Sequence, residues 1–149
     1  MSTLANPTIH AQCFERLARI DPVKPPKWGK MNAHQMVCHL NDSFRAVMGE
    51  KFVSPASNLF TKTLMKWGAL YSPVKWPRGV ATRPEIEQGR GGTPPEDWAR
   101  DCSELRDLMH RFPKLKDFGD HPFFGKLTYR DWMIWGYRHV DHHFRQFGV

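Results

Sequence analysis

The stretch Tyr-Arg-His-Val-Asp-His-His-Phe-Arg-Gln, residues 137–146, places His139 and His143 four positions apart. In an α-helix this spacing returns both imidazoles to one face, because each residue turns the helix by about 100°. The neighbours that share or border this face are apolar or small: Trp132, Trp135, Gly136, Val140 and Phe147. We therefore predict that both histidines point into a helical core.

Two imidazoles on an apolar helix face are costly unless their polar nitrogens have partners. A divalent metal ion would remove this cost by accepting a lone pair from each ring. The alternative is a pair of core histidines whose nitrogens bond to backbone carbonyls, Asp or Tyr. The pair alone does not decide between these interpretations, whereas a third ligand on another helix would favour the metal site.

His39 is the best candidate for that third ligand. It lies on the shoulder of the apolar stripe of the second predicted helix, near Met36 and Ser43, where its side chain can reach an adjacent helix. Metal sites assembled from facing helices are common in helical bundles. The remaining histidines fall on polar faces, in a loop, near an N-terminus expected to fray, or on the flank of the pair: His34, His110, His121, His10 and His142.

Helix start signals recur along the chain with little strand signal between them, so the sequence predicts an all-α fold. Each signal combines a capping side chain with a proline at the first helical position or a polar partner three residues later. These signals are Asn6-Pro7, Asn32 with Gln35, Ser54-Pro55, Thr93-Pro94-Pro95-Glu96, and Thr128 with Asp131. The third of these helices is expected to carry Leu59, Phe60, Thr63, Leu64, Trp67 and Leu70 on its apolar side.

The segment from Tyr71 to Gly92 is rich in proline and glycine and is predicted to be irregular. Such a long connection is either a crossover or a lid over a site, and we expect it to be the most mobile part of the chain. Arg78, Arg83 and Arg90 are available there to attract an anionic substrate. A second irregular segment, residues 112–127, is expected to close the end of the bundle with its aromatic side chains.

Length and composition favour one domain spanning residues 1–149. The formal net charge of +7 is scattered rather than clustered, so we do not expect nucleic acid as a partner. The 3 cysteines have no C-x-x-C spacing, which argues against a disulfide framework and against a cysteine zinc site. No signal peptide or membrane span is predicted, and a cytoplasmic location is expected.

Two parts of the sequence carry a resemblance to a known family. The first is Trp28-Gly29-Lys30-Met31-Asn32 with Gln35-Met36 and His39-Leu40, and the second is His121-Pro122-Phe123-Phe124-Gly125, Trp132, His139, His142-His143 and Arg145-Gln146. Together they resemble the DinB/YfiT-like superfamily of proposed metalloenzymes, in particular a domain-of-unknown-function branch of this length. The resemblance covers nearly the whole chain.

This resemblance implies an up-down-down-up four-helix bundle with a long crossover and room for a short additional N-terminal helical segment. It implies a divalent metal held by His39, His139 and His143. The positions of these residues on apolar helix faces select the same three independently. Superfamily members with assigned activities include transferases and isomerases that use small thiols such as bacillithiol or mycothiol. Related bundles often form homodimers, so a homodimer is a further expectation.

Three neutral imidazoles leave open positions on a divalent ion, as in catalytic rather than structural sites. Zinc or nickel is expected before iron or manganese, because imidazole suits the later metals of the series. No general base is evident. Asp42, His142 and Gln146 are candidates to orient a ligand or touch a substrate, while Cys38 lies too far around the helix to be a ligand.

Three classes of function stay open at this point. We favour a metal-dependent transferase or hydrolase acting on a small substrate that is anionic or carries a thiol. The second class is a non-catalytic metal-binding bundle that serves as a structural or interaction module. The third, supported by charge alone, is a stress-related nucleic-acid-binding protein.

Overall fold

The computed structural model describes residues 1–149 and confirms the all-α prediction. A π-helical turn, Thr61–Met65, leads directly into the short third helix, and 3₁₀ turns lie at Pro84–Ile86 and Phe112–Lys114. There is no β-strand, and no helix is both long and apolar enough to cross a membrane. The five α-helices are α1 Pro7–Ala18, α2 Ala33–Val47, α3 Lys66–Tyr71, α4 Trp98–Arg111 and α5 Tyr129–Gln146.

Three of the predicted helix starts are confirmed by side-chain caps. Asn6 accepts hydrogen bonds from two backbone amides of α1. Asn32 and Gln35 form a reciprocal capping box at α2, with distances of 2.8 Å and 3.0 Å. Thr128 and Asp131 form the same arrangement at α5. Each cap satisfies amide groups that have no partner within the helix, so the two helices that carry the histidines have well-defined starts.

The predicted start of α4 at Thr93 is wrong. Asp97 caps this helix instead, accepting from Arg100 N at 2.7 Å. Pro94 precedes Pro95, and a residue before proline is pushed away from the helical region, so the helix cannot begin there. Thr93 is used elsewhere, since its amide and hydroxyl both donate to the buried Asp42 at 2.7 Å.

The predicted start of the third helix at Ser54-Pro55 is also wrong. The cap is Asn58, whose side chain accepts from Thr61 N at 2.9 Å. Only Leu70 of the predicted apolar set is fully buried, because this helix packs on the bundle through its C-terminal end. The exposed hydrophobic members are Leu59, Phe60, Leu64 and Trp67, which are 60–80% accessible.

The core lies between α2, α4 and α5. Helix α2 packs along α4 over most of its length, and α5 contacts α1 and α3. Aromatic side chains fill the interior, with Phe44 at 5.0 Å from Phe112 and Trp132 at 5.4 Å from Trp135 between ring centroids. As predicted, the segment after α4 contributes aromatic side chains to the bundle. Phe118 stacks on Trp132, with 5.4 Å between the ring centroids. The rigid core fixes the relative positions of α2 and α5.

The segment Tyr71 to Gly92 is irregular, as predicted, apart from the end of α3 and the 3₁₀ turn Pro84–Ile86, which packs against α2. Two of its arginines are engaged within the protein rather than free for a substrate. Arg83 donates to Ser54, and Arg90 pairs with Glu87 at 3.0 Å. Arg78 lies beside a cavity.

Candidate metal centre

Helices α2 and α5 bring three histidines together in the interior. His39 comes from the middle of α2, and His139 and His143 occupy successive turns of α5. His139 Nε2 lies 3.4 Å from His39 Nε2 and 3.1 Å from His143 Nε2. The three side chains are buried, with exposed fractions of 3%, 9% and 7% in chain order.

The outer nitrogens of two of these rings are fixed by oxygen acceptors. His39 Nδ1 donates to the backbone carbonyl of Ile86 at 3.0 Å, and His143 Nδ1 donates to Gln146 Oε1 at 2.6 Å. A carbonyl oxygen can only accept, so the proton of each neutral ring is on Nδ1. The Nε2 atoms of His39 and His143 therefore both present lone pairs toward His139.

His139 cannot satisfy both of these lone pairs. If Nε2 of His139 carries the proton, it donates to one neighbour and leaves the other unpaired. If the proton is on Nδ1, that atom is buried without a hydrogen-bond partner, and all three lone pairs face one another. An unpaired buried acceptor costs about 1–3 kcal/mol. The donor set is thus incomplete within the protein alone.

A divalent ion fits this donor set. Tetrahedral coordination at about 2.0–2.1 Å places neighbouring nitrogens roughly 3.3–3.4 Å apart, close to the 3.1 Å and 3.4 Å separations observed. The ligand atoms of His39, His139 and His143 lie within 4.8 Å of one another, and the group could hold a metal ion. The carbonyl of Ile86 and the amide of Gln146 would then orient two of the rings.

Burial sets the protonation of the cluster. Desolvation is the largest influence on all three rings and lowers the pKa of His39, His139 and His143 below its ordinary value. The neighbouring imidazoles lower the pKa of His139 and His143 further. The rings are accordingly neutral at pH 7, which is the form that binds a metal.

Gln146 connects the cluster to the chain before α2. Its Nε2 donates to the carbonyl of Trp28 at 3.4 Å, and its backbone carbonyl accepts from Lys27 N at 2.6 Å. Gly29 has φ +88°, and a Cβ there would lie 2.7 Å from Gln146 Nε2. A glycine is therefore required for this close approach. Gln146, a candidate from the sequence to orient a ligand or touch a substrate, thus lies directly against His143.

The other two predicted neighbours of the cluster have different positions. Asp42 does not contact His39, since its carboxylate accepts from Thr93 and pairs with Lys51 at 2.9 Å. No hydrogen bond joins this carboxylate to His39, because the loop after the 3₁₀ turn and Lys51 occupy it. His142 is buried beside His143 at 5.2 Å between centroids but is not in the group of converging nitrogens.

Two tryptophans enclose the cluster, and sequence reasoning foresaw one of them. Trp76 lies 5.7 Å from His139 between ring centroids, and Trp135 lies 5.0 Å from the same ring on α5. The indole of Trp76 is held by a 2.7 Å bond to the carbonyl of Ala69. Trp135 was expected beside His139 from its spacing of four, whereas no local signal points to Trp76 or to the carbonyl of Ile86.

A second group of ligand-type residues lies between α2 and α4. His34, Cys38 and Asp101 have ligand atoms within 4.8 Å of one another and could also hold a metal ion. His34 was expected on a polar face, but it is half-buried and donates to Asp101 at 2.8 Å, as Cys38 does at 3.5 Å. Burial raises the pKa of the Cys38 thiol to about 12, so the metal-binding thiolate is disfavoured. These contacts form a hydrogen-bonded link between two helices.

Comparison with known proteins gives one match at the level of a family. No curated protein and no solved structure matches the chain. A family model described as "protein of unknown function (DUF1569)" matches residues 10–148, which include α2, α5 and all three converging histidines. The chain therefore belongs to the DUF1569 family.

Proposed function

We propose that this protein is a metal-dependent enzyme, a transferase or hydrolase, whose ion is held by His39, His139 and His143. The observation that carries the proposal is the meeting of three Nε2 atoms whose lone pairs the protein itself does not satisfy together. A divalent ion held there would supply Lewis-acid chemistry to a substrate oxygen or sulfur. Zinc or nickel is the preferred ion, because three neutral imidazoles suit these metals.

Two features favour a catalytic over a structural role. The converging group contains three side-chain ligands, whereas closed structural zinc sites have four. A cavity of about 500 Å³ also lies beside the cluster, with Trp28 and Trp76 in its wall. The alternative, a non-catalytic metal-binding module, is favoured by one observation, the burial of all three rings.

We further propose that the chain has the DinB-like bundle arrangement. Support comes from the pairing of one histidine of α2 with two of α5 and from the long irregular connection before α4. By analogy with that superfamily, a small thiol is the proposed co-substrate. Within this scheme the residues of the chain hold the ion, orient two rings through Ile86 and Gln146, and exclude water with Trp76.

Substitution with Co²⁺ tests the proposed function. The cobalt protein would be titrated with 2-mercaptoethanol while its visible spectrum is recorded. An open coordination position predicts new sulfur-to-cobalt absorption that saturates with thiol. A spectrum that stays unchanged would identify a closed structural site and would favour the non-catalytic module.

A matched variant separates thiol binding at this site from binding elsewhere. In Cys38→Ala the second group of ligand-type residues loses its sulfur, while the three converging histidines are intact. We expect the cobalt spectrum and its response to thiol to match those of the unaltered protein. Loss of the cobalt spectrum in Cys38→Ala would show instead that the ion binds at the His34, Cys38 and Asp101 group.

Other partner and location predictions stay proposals. One domain over residues 1–149, a cytoplasmic location and a homodimer are each consistent with the sequence, and nucleic acid is not expected as a partner. Sedimentation of the purified protein checks the homodimer. Any duplex binding should be weak and should fall steeply as salt rises, and tight, salt-resistant binding to one duplex would contradict this expectation.

A further inference from the structure

The cavity beside the histidine cluster is strongly basic. It has a volume of about 500 Å³, and half of its lining residues carry positive charge: Lys27, Lys75, Arg78 and Arg145. No Asp or Glu lines it. Of the four cations, only Arg145 has a carboxylate partner, Asp141 at 2.8 Å. Three unpaired cations around one concave space form an attractive site for an anion.

The fold holds the backbone of Lys27 and the guanidinium of Arg78 at this cavity. Lys27 donates its backbone amide to the carbonyl of Gln146 at 2.6 Å, and its side chain crosses Gly148. Gly148 has φ +80°, a backbone conformation that favours glycine, and the end of the Lys27 side chain lies against it. The Arg78 guanidinium lies over the Trp28 ring, 4.6 Å from its centroid. Such a cation–π contact fixes the guanidinium while leaving its N–H donors free.

The walls of the cavity also contact the candidate metal centre. Trp76 lies 5.7 Å from His139 and 6.0 Å from His142 between ring centroids, and Trp28 lies 6.2 Å from His142. Gln146, which accepts from His143, holds the backbone of Lys27 and Trp28. One layer of aromatic side chains therefore separates the basic cavity from the three converging nitrogens.

We propose that this cavity binds the anionic group, a carboxylate or a phosphate, of the substrate that reacts at the histidine centre. The inference rests on the proposed function for its reaction, although anion binding itself needs no metal. Arg78 and Lys75 contact the anion from the irregular segment, and Lys27 contacts it from the chain before α2. The apolar faces of Trp28 and Trp76 accommodate the part of the substrate that adjoins the anionic group.

Titration with inorganic phosphate, followed by ¹H–¹⁵N spectra, tests the inference. Sodium phosphate and, in a parallel arm, sodium acetate would be added to the purified full chain at constant ionic strength. We expect saturable shifts of the indole signals of Trp28 and Trp76. The anion with the lower dissociation constant is the preferred one. In a Lys75→Gln, Arg78→Gln double variant the dissociation constant should rise about tenfold or more, since charge-assisted hydrogen bonds are lost.

Two controls make the outcome decisive. An Arg19→Gln, Lys24→Gln variant removes the same charge from exposed positions outside the cavity, and its dissociation constant should be unchanged. His143→Ala should retain phosphate binding, which separates this inference from the proposed function. The inference is overturned if no shift saturates, if the control weakens binding equally, or if His143→Ala loses binding. Saturable binding in the absence of bound metal would uphold the cavity even if the proposed function fails.

Discussion

Gln146 accepts a hydrogen bond from His143, with Oε1 2.6 Å from Nδ1. This bond places the imidazole proton on Nδ1 and leaves the Nε2 lone pair directed toward His139. The same glutamine bonds to the carbonyl of Trp28 through its amide nitrogen. One side chain on α5 thus sets the tautomer of a candidate ligand and fixes the wall of the adjacent cavity.

Replacing Gln146 with leucine should weaken zinc binding by about 10–100-fold, as expected when an orienting partner of a metal-bound histidine is lost. Gln146→Glu keeps the acceptor and should restore most of the affinity. The dissociation constant would be measured by competition with a chromophoric chelator. Gln12→Leu, on the exposed face of α1, is the matched control. Equal affinity in Gln146→Leu and the unaltered protein would show that this contact does not orient His143.

Asp42 should contribute to stability without contributing to metal binding. Its carboxylate is fully buried and is shared by Thr93 and Lys51. Asp42→Asn removes one partner of a buried ion pair and should lower the free energy of unfolding by about 3 kcal/mol. Urea denaturation checks the loss, and elemental analysis should show unchanged metal content.

The exposed ion pair of Asp107 and Arg111 provides a control for Asp42. Asp107→Asn should change the free energy of unfolding by less than about 0.5 kcal/mol, because solvent screens such pairs. If Asp42→Asn lost metal while keeping its stability, Asp42 would have to act on the centre after all.

His121 should make the protein sensitive to acid. Burial lowers the pKa of His121 to about 3 from the ordinary 6.5, and its Nδ1 accepts from the amides of Phe123 and Phe124. The unfolded chain therefore takes up a proton before the folded protein does, so stability is present above pH 6.5 and is lost as pH falls toward 3. Between pH 6.5 and about 4.5 this loss should amount to roughly 2 kcal/mol.

An asparagine side chain at position 121 can accept hydrogen bonds from the same two amides, and it has no ionisable group. His121→Asn should therefore have a shallower pH dependence of unfolding than the unaltered protein, when both are measured by urea denaturation in metal-free form. The exposed His110 offers the control, since His110→Asn should retain the steep dependence. Parallel pH profiles for His121→Asn and the unaltered protein would contradict the assignment.

Local signals in the sequence predicted the helices that carry the histidines. The capping boxes at Asn32 and Thr128 depend on residues three positions apart, so they form wherever the chain runs into a helix. Periodicity placed His39 and His139 on faces that turn toward the core. Their convergence in the structure follows from the packing of α2 and α5 around the shared aromatic interior.

The errors arose where distant parts of the chain compete for the same groups. Thr93 was predicted as a helix cap, but Asp42, 51 positions away, takes its amide and hydroxyl. The acceptor of the His39 bond is the backbone carbonyl of Ile86, so the identity of that residue gives no sign of the bond. The apolar side of the third helix has the expected pattern, yet most of it lies outside the bundle.

The most direct test of the central claim is the metal content of purified variants, measured by elemental analysis. A His39→Ala, His139→Ala, His143→Ala variant should carry no stoichiometric divalent metal, and circular dichroism should show that it stays helical. A His10→Ala, His34→Ala, His110→Ala variant removes as many imidazoles, including that of the second candidate group, and should retain one equivalent. One equivalent of metal in the first variant would contradict the account.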